Sequence, residues 1–365
     1  MNKRLIGFKD ISLLTDEPLS TLNIEELLKL PDLDRESPLE SPKASWLQTY
    51  DFSLDGHSPF DIPKPKTQEE KERLVSGFIS GLRKLFDPEN NWTFYKIFKL
   101  SMDYCVKCQT CSEACHTYLA SGRQEIYRPT FRSEALRKLY KRYFTTSGKL
   151  LKSFVGADIE LNYKAVWRLL ELSYRCNICR RCALYCPVGI DNALIAREIR
   201  KLFSQELGIA PSELLKKGTR QHLAKGSTTG MNSAGFKSIV EFLEEDIYER
   251  TGKKIKIPVD KKGADILLIH NAGEFVSWPD NPAAFAILFD AAGINYTLSS
   301  EPLGYDGVSY GLWFDDVEAA RIGLRHLKIA KELGVNETAV GVCGHAHKAM
   351  CVILDRILPG DFSLS

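Results

Sequence analysis

Eight of the ten cysteines in this 365-residue sequence fall into two runs with the same spacing, C-x2-C-x2-C-x3-C. The first run is Cys105, Cys108, Cys111 and Cys115, and the second is Cys176, Cys179, Cys182 and Cys186. Each cysteine of the second run lies 71 residues after its counterpart, and Pro187 follows the last one. This run is the signature of ferredoxins that hold two [4Fe–4S] clusters. The sequence therefore predicts a duplicated unit with two such clusters, which are one-electron carriers.

The spacing also predicts which cysteines share a cluster. Three thiolates at x2 intervals can surround one face of a cube, whereas the fourth, at x3, points away and completes the other cube. We therefore expect Cys186 to join the first three cysteines of the first run, and Cys115 to join those of the second run. The predicted ligand sets are Cys105, Cys108, Cys111 and Cys186 for one cluster, and Cys176, Cys179, Cys182 and Cys115 for the other.

Other uses of these cysteines fit the sequence less well. Structural zinc takes two CxxC pairs or mixed Cys/His sets, and the runs have no natural division into such pairs. No CxxCH motif for haem attachment occurs, since His116 follows Cys115 but the preceding cysteine is Cys111. A disulfide framework is unusual in a long chain without a signal peptide.

Composition and charge favour an ordinary globular protein. Apolar residues make up 44% and charged residues 26%, and the net charge is +2. This balance gives no reason to expect a nucleic-acid partner. No apolar run approaches the roughly 18 residues of a membrane span, and the N-terminus lacks the apolar core and cleavage site of a signal peptide. We therefore expect the chain to stay in the cytoplasm.

Three regions follow from the residue pattern. Residues 1–70 are rich in proline and acidic. They are expected to form an extended arm anchored by Trp46, Leu47, Tyr50 and Phe52, with a disordered tail as the alternative. Residues 71–255 carry apolar positions at helical spacing and are expected to form a helical two-cluster ferredoxin domain. Residues 256–365 alternate strands and helices, which predicts a small parallel α/β domain. The expected fold class is thus α+β and multidomain.

Within the α/β region, predicted strands cover 264–270, 294–298 and 338–343, with helices over 282–293 and 315–334. Parallel units bind ligands beyond the carboxyl ends of their strands. His270 and Cys343 lie at such ends, and His345 and His347 follow. The sequence thus makes Cys343 and His345 candidate catalytic residues, with a packed core thiol as the alternative for Cys343. Cys351 is expected to be a core residue of the following helix.

Basic residues concentrate in two places. Arg175, Arg180 and Arg181 surround the start of the second cysteine run, where positive charge would raise a cluster's potential, unless they form a solvated face. The stretch 132–152 carries seven cations and one acid, with Tyr140, Tyr143 and Phe144 among them. It is interpreted as a docking face for an acidic partner or a membrane surface, or as an ordinary solvated helix face.

Nothing in the sequence indicates a flavin or nicotinamide site. No GxGxxG follows a predicted strand, and no Walker loop occurs. The glycine-rich segment 226–230 follows no strand and is interpreted as a turn.

Several segments together resemble a known family. They are the run YKRYFTTSGKLL (140–151), the second cysteine run with its PVGID extension (176–191), KGADILL (262–268) and CGHAHK (343–348). In this order they are similar to the D subunit of heterodisulfide reductase, and more closely to DsrK, the cytoplasmic iron–sulfur subunit of a membrane complex serving dissimilatory sulfite reduction. The resemblance covers roughly residues 90–350.

This resemblance implies a subunit on the inner face of the membrane, docked on a quinone-linked cytochrome b-type partner and accompanied by further redox subunits. Electrons from quinol would pass through two cubane clusters toward a disulfide or trisulfide, which a small substrate protein would carry. In the family, the reducing site is a noncubane [4Fe–4S] cluster held by cysteine-rich CCG repeats in the C-terminal half.

The sequence departs from the family in lacking any Cys-Cys dipeptide. Outside the two runs only Cys343 and Cys351 remain, so a noncubane cluster is not expected in this chain. Two interpretations stand: an electron-relay subunit, or the N-terminal part of the reductase itself, with the remaining CCG repeat beyond Ser365.

Overall fold

The computed structural model describes residues 43–49, 56, 59–91, 93–307, 310–341 and 344–350. Most of the predicted arm, including Tyr50 and Phe52, lies outside the described residues, as do Cys343 and Cys351 and the side chain of His345.

Helices make up most of the described chain, which is consistent with the helical pattern of the sequence. The helices of the N-terminal part are α1 Ala44–Thr49, α2 Gln68–Leu85, α3 Tyr95–Asp103, α4 Thr110–Glu113, α5 His116–Ala120, α6 Pro129–Phe144, α7 Thr146–Leu151, α8 Tyr163–Ser173, α9 Arg181–Leu184, α10 Asn192–Leu207, α11 Gln221–Lys225 and α12 Ser233–Thr251. Those of the C-terminal part are α13 Ala272–Ser277, α14 Asp280–Ala292, α15 Pro302–Tyr305, α16 Asp316–Leu333 and α17 Gly344–His347. Short 3-10 turns cover Glu125–Tyr127, Lys152–Val155 and Tyr310–Trp313, and a π-helix covers Glu213–Arg220.

A small parallel sheet lies in the C-terminal part. Its strands are β1 Ile266–Ile269, β2 Tyr296–Thr297 and β3 Glu337–Val340, in the order β2-β1-β3. Ile266 pairs with Tyr296 on one side and with Glu337 on the other. The predicted parallel α/β unit is confirmed in this sheet, although its strands are shorter than the apolar runs suggested. The division of the chain into three domains stays a prediction.

The helical core is built from α2, α3, α6, α8 and α10, and includes Phe78, Phe98, Leu136, Leu169 and Phe203. A second core joins α12 to the sheet and α14. In α12 the predicted apolar set is not all buried: Val240, Leu243 and Ile247 are, whereas Phe242 is 59% exposed because it lies on the opposite helical face.

The described piece of the predicted arm is not wholly extended. Residues 44–49 form α1, and Trp46 remains 46% exposed. Thr67 caps α2 in a capping box with Glu70, so that this helix begins inside the region assigned to the arm. No helix of the described part is long and apolar enough to cross a membrane.

One face of α10 joins the helical part to the segment before α16. Arg197 donates from Nε to the Leu312 carbonyl at 2.7 Å and pairs with Asp316 at 2.5 Å. Lys201 pairs with Asp316 at 3.2 Å and with Glu198 at 2.6 Å, and Ser204 donates to Asp315 at 2.6 Å. Residues three and four apart share a helical face, which explains this row. Because Arg197 and Glu198 are fully buried, each charge depends on its partners.

Removing the buried cation of this row should destabilise the chain strongly. Arg197→Met would leave Asp316 and Glu198 without their shared guanidinium, and breaking a buried pair costs about 3–5 kcal/mol. The matched control is Lys84→Met, which breaks an exposed pair with Glu206 and should cost at most about 1 kcal/mol. Anaerobic denaturant unfolding of both variants measures the difference, and equal losses in the two would contradict this account.

Candidate metal centre

The first three cysteines of the first run share a cavity with the last cysteine of the second run. This cavity is lined by Cys105, Cys108, Cys111 and Cys186. Loop residues on both sides complete the lining, among them Val106, Lys107, Gln109, Pro187, Val188 and Ile190. That these four cysteines ligate one cluster stays a prediction, and we refer to them as the first centre.

The remaining cysteines form the second centre: Cys176, Cys179 and Cys182, with Cys115 as the proposed fourth ligand. Arg132 connects Cys115 to the second run, because it donates from Nη2 to Cys115 Sγ at 3.8 Å and from Nη1 to the Arg175 carbonyl. His116, next to Cys115 in the chain, lies with Nδ1 3.9 Å from Cys179 Sγ. These contacts place the x3 cysteine of the first run beside the second run.

The two runs share an unusual backbone conformation. Left-handed non-glycine residues occur at Lys107 and Gln109 in the first run and at Ile178 and Arg180 in the second. Each pair occupies equivalent positions, 71 residues apart, and each run ends in an equivalent one-turn helix, α4 or α9. Left-handed conformations are costly for residues with a Cβ and concentrate at functional sites. The repeat seen in the spacing is therefore also a repeat of backbone structure.

Buried arginines surround the thiols and provide a test of whether these sites suit an anionic group. Arg137 is buried, and its Nη1 atom has no hydrogen-bond partner among the described residues. Burial lowers the pKa of Arg137, whereas the neighbouring Cys105, Cys111 and Cys186 act to raise it. A buried guanidinium with a spare donor beside three thiols fits a cluster whose ligands are thiolates.

Two of the buried thiols, Cys111 and Cys182, are poorly ionised without a cation because their pKa values are raised. Burial raises the pKa of Cys111 to about 11, and the nearby Cys105, Cys186 and Cys108 contribute to the rise. Burial raises the pKa of Cys182 further still. Metal ligation requires the thiolate, so that loading of these sites must release protons. In the described part of the chain, no group of three or more Cys, His, Asp or Glu side chains is arranged to hold a single metal ion.

The two centres are adjacent but differ in exposure. Cys111 of the first centre packs with Cys176 and Cys182 of the second in one buried group. Cys108 is exposed at the outer side of the first centre. The second centre is covered by the C-terminal part, since Lys348 donates from Nζ to the Ile178 carbonyl at 2.7 Å and Trp313 packs against the same buried group.

The basic residues predicted from the sequence have different positions. Arg175 is buried, Arg180 pairs with Asp191 at 2.7 Å, and Arg181 is exposed. Arg132 and Arg137 were included in the predicted docking face, and that interpretation is wrong for them because both are buried against the centres. Their helix α6 turns its N-terminal half inward.

Sequence reasoning missed other residues that hold the cysteine loops. Arg200 donates to the Ser173 carbonyl at 2.6 Å, to the Cys176 carbonyl, and to the Trp313 carbonyl at 3.1 Å. Asn192 donates from Nδ2 to Cys111 Sγ at 3.8 Å. The available signal was the spacing of cations on α10, which recur every three or four residues. In the sequence, however, this spacing looks the same as that of cations on the solvent-exposed face of an amphipathic helix.

The predicted catalytic residues of the α/β part are only partly described. Cys343 and the side chain of His345 lie outside the described residues, so their catalytic role stays a prediction. His270 is buried at the end of β1, with Nδ1 3.2 Å from Glu274 Oε2 and no hydrogen-bond partner for Nε2 among the described residues. Its ring packs so closely on Gly341 that a Cβ there would lie 2.8 Å from Cε1.

The glycine-rich segment 226–230 serves a structural role in the described chain. Thr228 donates from its backbone nitrogen and its hydroxyl to the fully buried carboxylate of Asp306, both at 2.7 Å. This is consistent with the interpretation of the segment as a turn.

Comparison with known proteins defines the class of this protein. Residues 101–190, which contain both cysteine runs, match the family described as the 4Fe-4S dicluster domain. The chain is therefore an iron–sulfur protein with an electron-transfer domain.

Two curated relatives extend the similarity beyond that domain. One is the Hdr-like menaquinol oxidoreductase iron–sulfur subunit 2 of Archaeoglobus fulgidus, 31% identical over 252 residues, which is 68% of this chain and 45% of the relative. The other is the Hdr-like menaquinol oxidoreductase iron–sulfur subunit of Archaeoglobus profundus, 28% identical over 255 residues with the same coverage. They confirm the resemblance to heterodisulfide-reductase-like iron–sulfur subunits over 68% of this chain. It spans about half the length of these relatives. No solved structure is significantly similar to the chain.

The exchanged ligand sets can be tested with paired cysteine variants and iron counting. The wild-type chain should hold about eight irons, four in each cluster. If Cys108 and Cys186 serve one cluster, Cys108→Ala/Cys186→Ala should damage a single cluster and retain about four irons. Cys108→Ala/Cys115→Ala should damage both clusters. Iron analysis with electron paramagnetic resonance of the reduced protein reads out the result, and the reverse pattern would show that each run closes on itself.

Lys348 should raise the reduction potential of the second centre. Its ammonium lies against the second cysteine loop, and positive charge near a cluster favours the reduced, more negative form. Lys348→Met should lower one of the two potentials in an anaerobic redox titration and leave the other unchanged. Lys107→Met is the matched control, since Lys107 belongs to the first loop and is exposed and paired with Glu134. A shift in neither potential would contradict this role.

Proposed function

We propose that this chain is the electron-relay subunit of a membrane-associated complex that takes electrons from quinol and delivers them toward disulfide or trisulfide reduction. Two clusters, each held by four cysteines, would supply the one-electron carriers when bound. Cys105, Cys108, Cys111 and Cys186 would hold one, and Cys176, Cys179, Cys182 and Cys115 the other.

The observation that carries the proposal is the asymmetry of two adjacent four-cysteine sites. The first centre reaches the surface at Cys108, whereas the second is buried under Lys348 and Trp313 of the C-terminal part. An exposed site suits exchange with a partner, and a covered one suits transfer within the subunit. The shared packing of Cys111 with Cys176 and Cys182 gives a short route between them.

The comparisons support the quinol side of this proposal. Both relatives are named as subunits of menaquinol oxidoreductases. We therefore propose a quinone-linked cytochrome b-type subunit as the membrane partner, further redox subunits, and a location on the inner face of the membrane through that partner. A small protein that carries a disulfide or trisulfide is the proposed final acceptor.

The C-terminal sheet supports a second candidate function, in which the chain is part of the catalytic reductase. His270 lies at the carboxyl end of β1, the edge at which parallel α/β units bind ligands. Its buried Nε2 atom lacks a partner among the described residues and could move a proton at this edge. In this case Cys343 and His345 would act at the same edge, and a noncubane cluster would require cysteines that this chain does not have.

An assay of the cluster-loaded chain distinguishes the two functions. Reduced viologen should reduce the chain, but no sustained turnover of a disulfide or trisulfide should follow, because clusters with four cysteine ligands leave no iron open to sulfur. Bleaching of the visible absorption measures reduction, and viologen oxidation measures turnover. Sustained turnover that disappears in Cys343→Ser would instead establish the catalytic function.

A further inference from the structure

The segment between α6 and α8 presents an unusual combination of side chains on the surface. Leu150, Leu151 and Phe154 are 76%, 51% and 93% exposed, within five residues of one another. Scattered exposed apolar residues are common in globular proteins, but a nearly fully exposed phenylalanine and two exposed leucines within five residues are a local concentration of apolar side chains. We refer to residues 141–155 as the basic tip.

The same segment carries positive charge that the described chain does not neutralise. Lys141, Arg142, Lys149 and Lys152 have no ion-pair partner among the described residues. The cations nearer the N-terminal half of α6 differ, since Lys138 pairs with Asp158 at 2.9 Å and Arg137 is buried at the first centre. The four remaining cations are thus available to an external anionic surface.

The basic tip is held in place by its own hydrogen bonds. Thr145 caps α7 by accepting from the Gly148 nitrogen at 3.1 Å, and its hydroxyl donates to the Lys141 carbonyl at 2.8 Å. Gly148 lies so close to that carbonyl that a Cβ would come within 1.8 Å of it. After the tip, the buried Ala157 donates to the Lys152 carbonyl at 2.9 Å. The exposed apolar side chains are therefore displayed by a fixed turn.

We propose that the basic tip binds directly to the surface of an anionic lipid bilayer. Apolar side chains with flanking lysines suit the boundary between acyl chains and headgroups, where the apolar groups insert and the long cations remain at the headgroups. A protein partner fits less well, because the centres of protein interfaces are depleted in lysine. The electrostatic attraction of several cations to an anionic leaflet adds to the insertion.

This contact would orient the metal centres relative to the membrane. Helix α6 begins beside the first centre, where Thr130 donates to Gln109 at 2.6 Å, and it ends at the basic tip. Its 16 residues span about 24 Å at 1.5 Å per residue. With the tip on the lipid surface, α6 would act as a spacer between the membrane and the first centre. The proposal concerns lipid and does not depend on the direction of electron flow.

Flotation with vesicles tests the proposal on the anaerobically purified, cluster-loaded chain. It should bind vesicles that contain phosphatidylglycerol, bind phosphatidylcholine vesicles much more weakly, and release from the former at high salt. Lys149→Glu/Lys152→Glu should weaken the partition coefficient by about 25-fold or more, at roughly fivefold for each cation lost. Leu150→Ser/Phe154→Ser should weaken it by about tenfold or more. Unchanged iron content and visible spectra would show that these variants remain folded.

Matched changes on α12 and just beyond its end provide the controls. Lys253→Glu/Lys254→Glu alters the net charge equally, and Phe242→Ser removes another exposed aromatic ring. Neither control should lose more than about twofold in vesicle binding if the tip is the binding site. Equal losses in controls and tip variants would overturn the proposal, since binding would then follow net charge alone. It would also be overturned if the wild-type chain ignored anionic vesicles while tip variants lost capture of a purified membrane partner.

Discussion

The burial of four of the eight clustered cysteines, Cys111, Cys115, Cys176 and Cys182, is the constraint on which the rest of this structure depends. Thiolates in a protein interior are stable only beside positive charge or metal, and here the protein supplies positive charge from arginines that are themselves buried. Arg132, Arg137 and Arg200 approach the two cysteine loops from α6 and α10. With anionic clusters bound, the cations and the two centres would stabilise each other.

This dependence explains why the helical framework has its particular arrangement. Helix α10 begins directly after the second cysteine run and is capped by Asp191, which also pairs with Arg180 of that run. Arg200, further along the same helix, ties the backbone of the cysteine loop to the carbonyl of Trp313 in the C-terminal part. A single helix thus connects the metal centre, the helical core and the α/β part. A structural change at the metal centre would therefore alter the contacts between α10 and the C-terminal part, and a change in those contacts would alter the centre.

The sequence predicted what depends on local pattern and failed where distant charges meet. Cysteine spacing predicted the dicluster domain, and apolar periodicity predicted α2, α8, α12 and the parallel sheet. These features depend on residues that are close together in the sequence. The same pattern placed Arg132 and Arg137 on a solvated or docking face. A cation within a basic stretch looks the same in one dimension whether it faces water or a thiolate. Which cations of α6 are buried depends on how this helix packs against the two cysteine loops. The second of these loops lies far from α6 in the sequence, so the local pattern does not reveal the packing.

The two centres share ligand type, spacing and left-handed backbone positions, so that any difference between them must arise from their surroundings. Burial disfavours the added negative charge of a reduced cluster, whereas nearby cations favour it, and solvent exposure changes both effects. The second centre is the more buried, which taken alone would make it harder to reduce. It also has Arg132, Arg200 and Lys348 close to its loop. Of these, Lys348 comes from the C-terminal part, and its charge is present at the centre only while that part remains docked. The electron affinity of a cluster bound at the second centre would therefore depend on the contact that Lys348 makes with its loop, which the duplicated ligand motif alone does not provide.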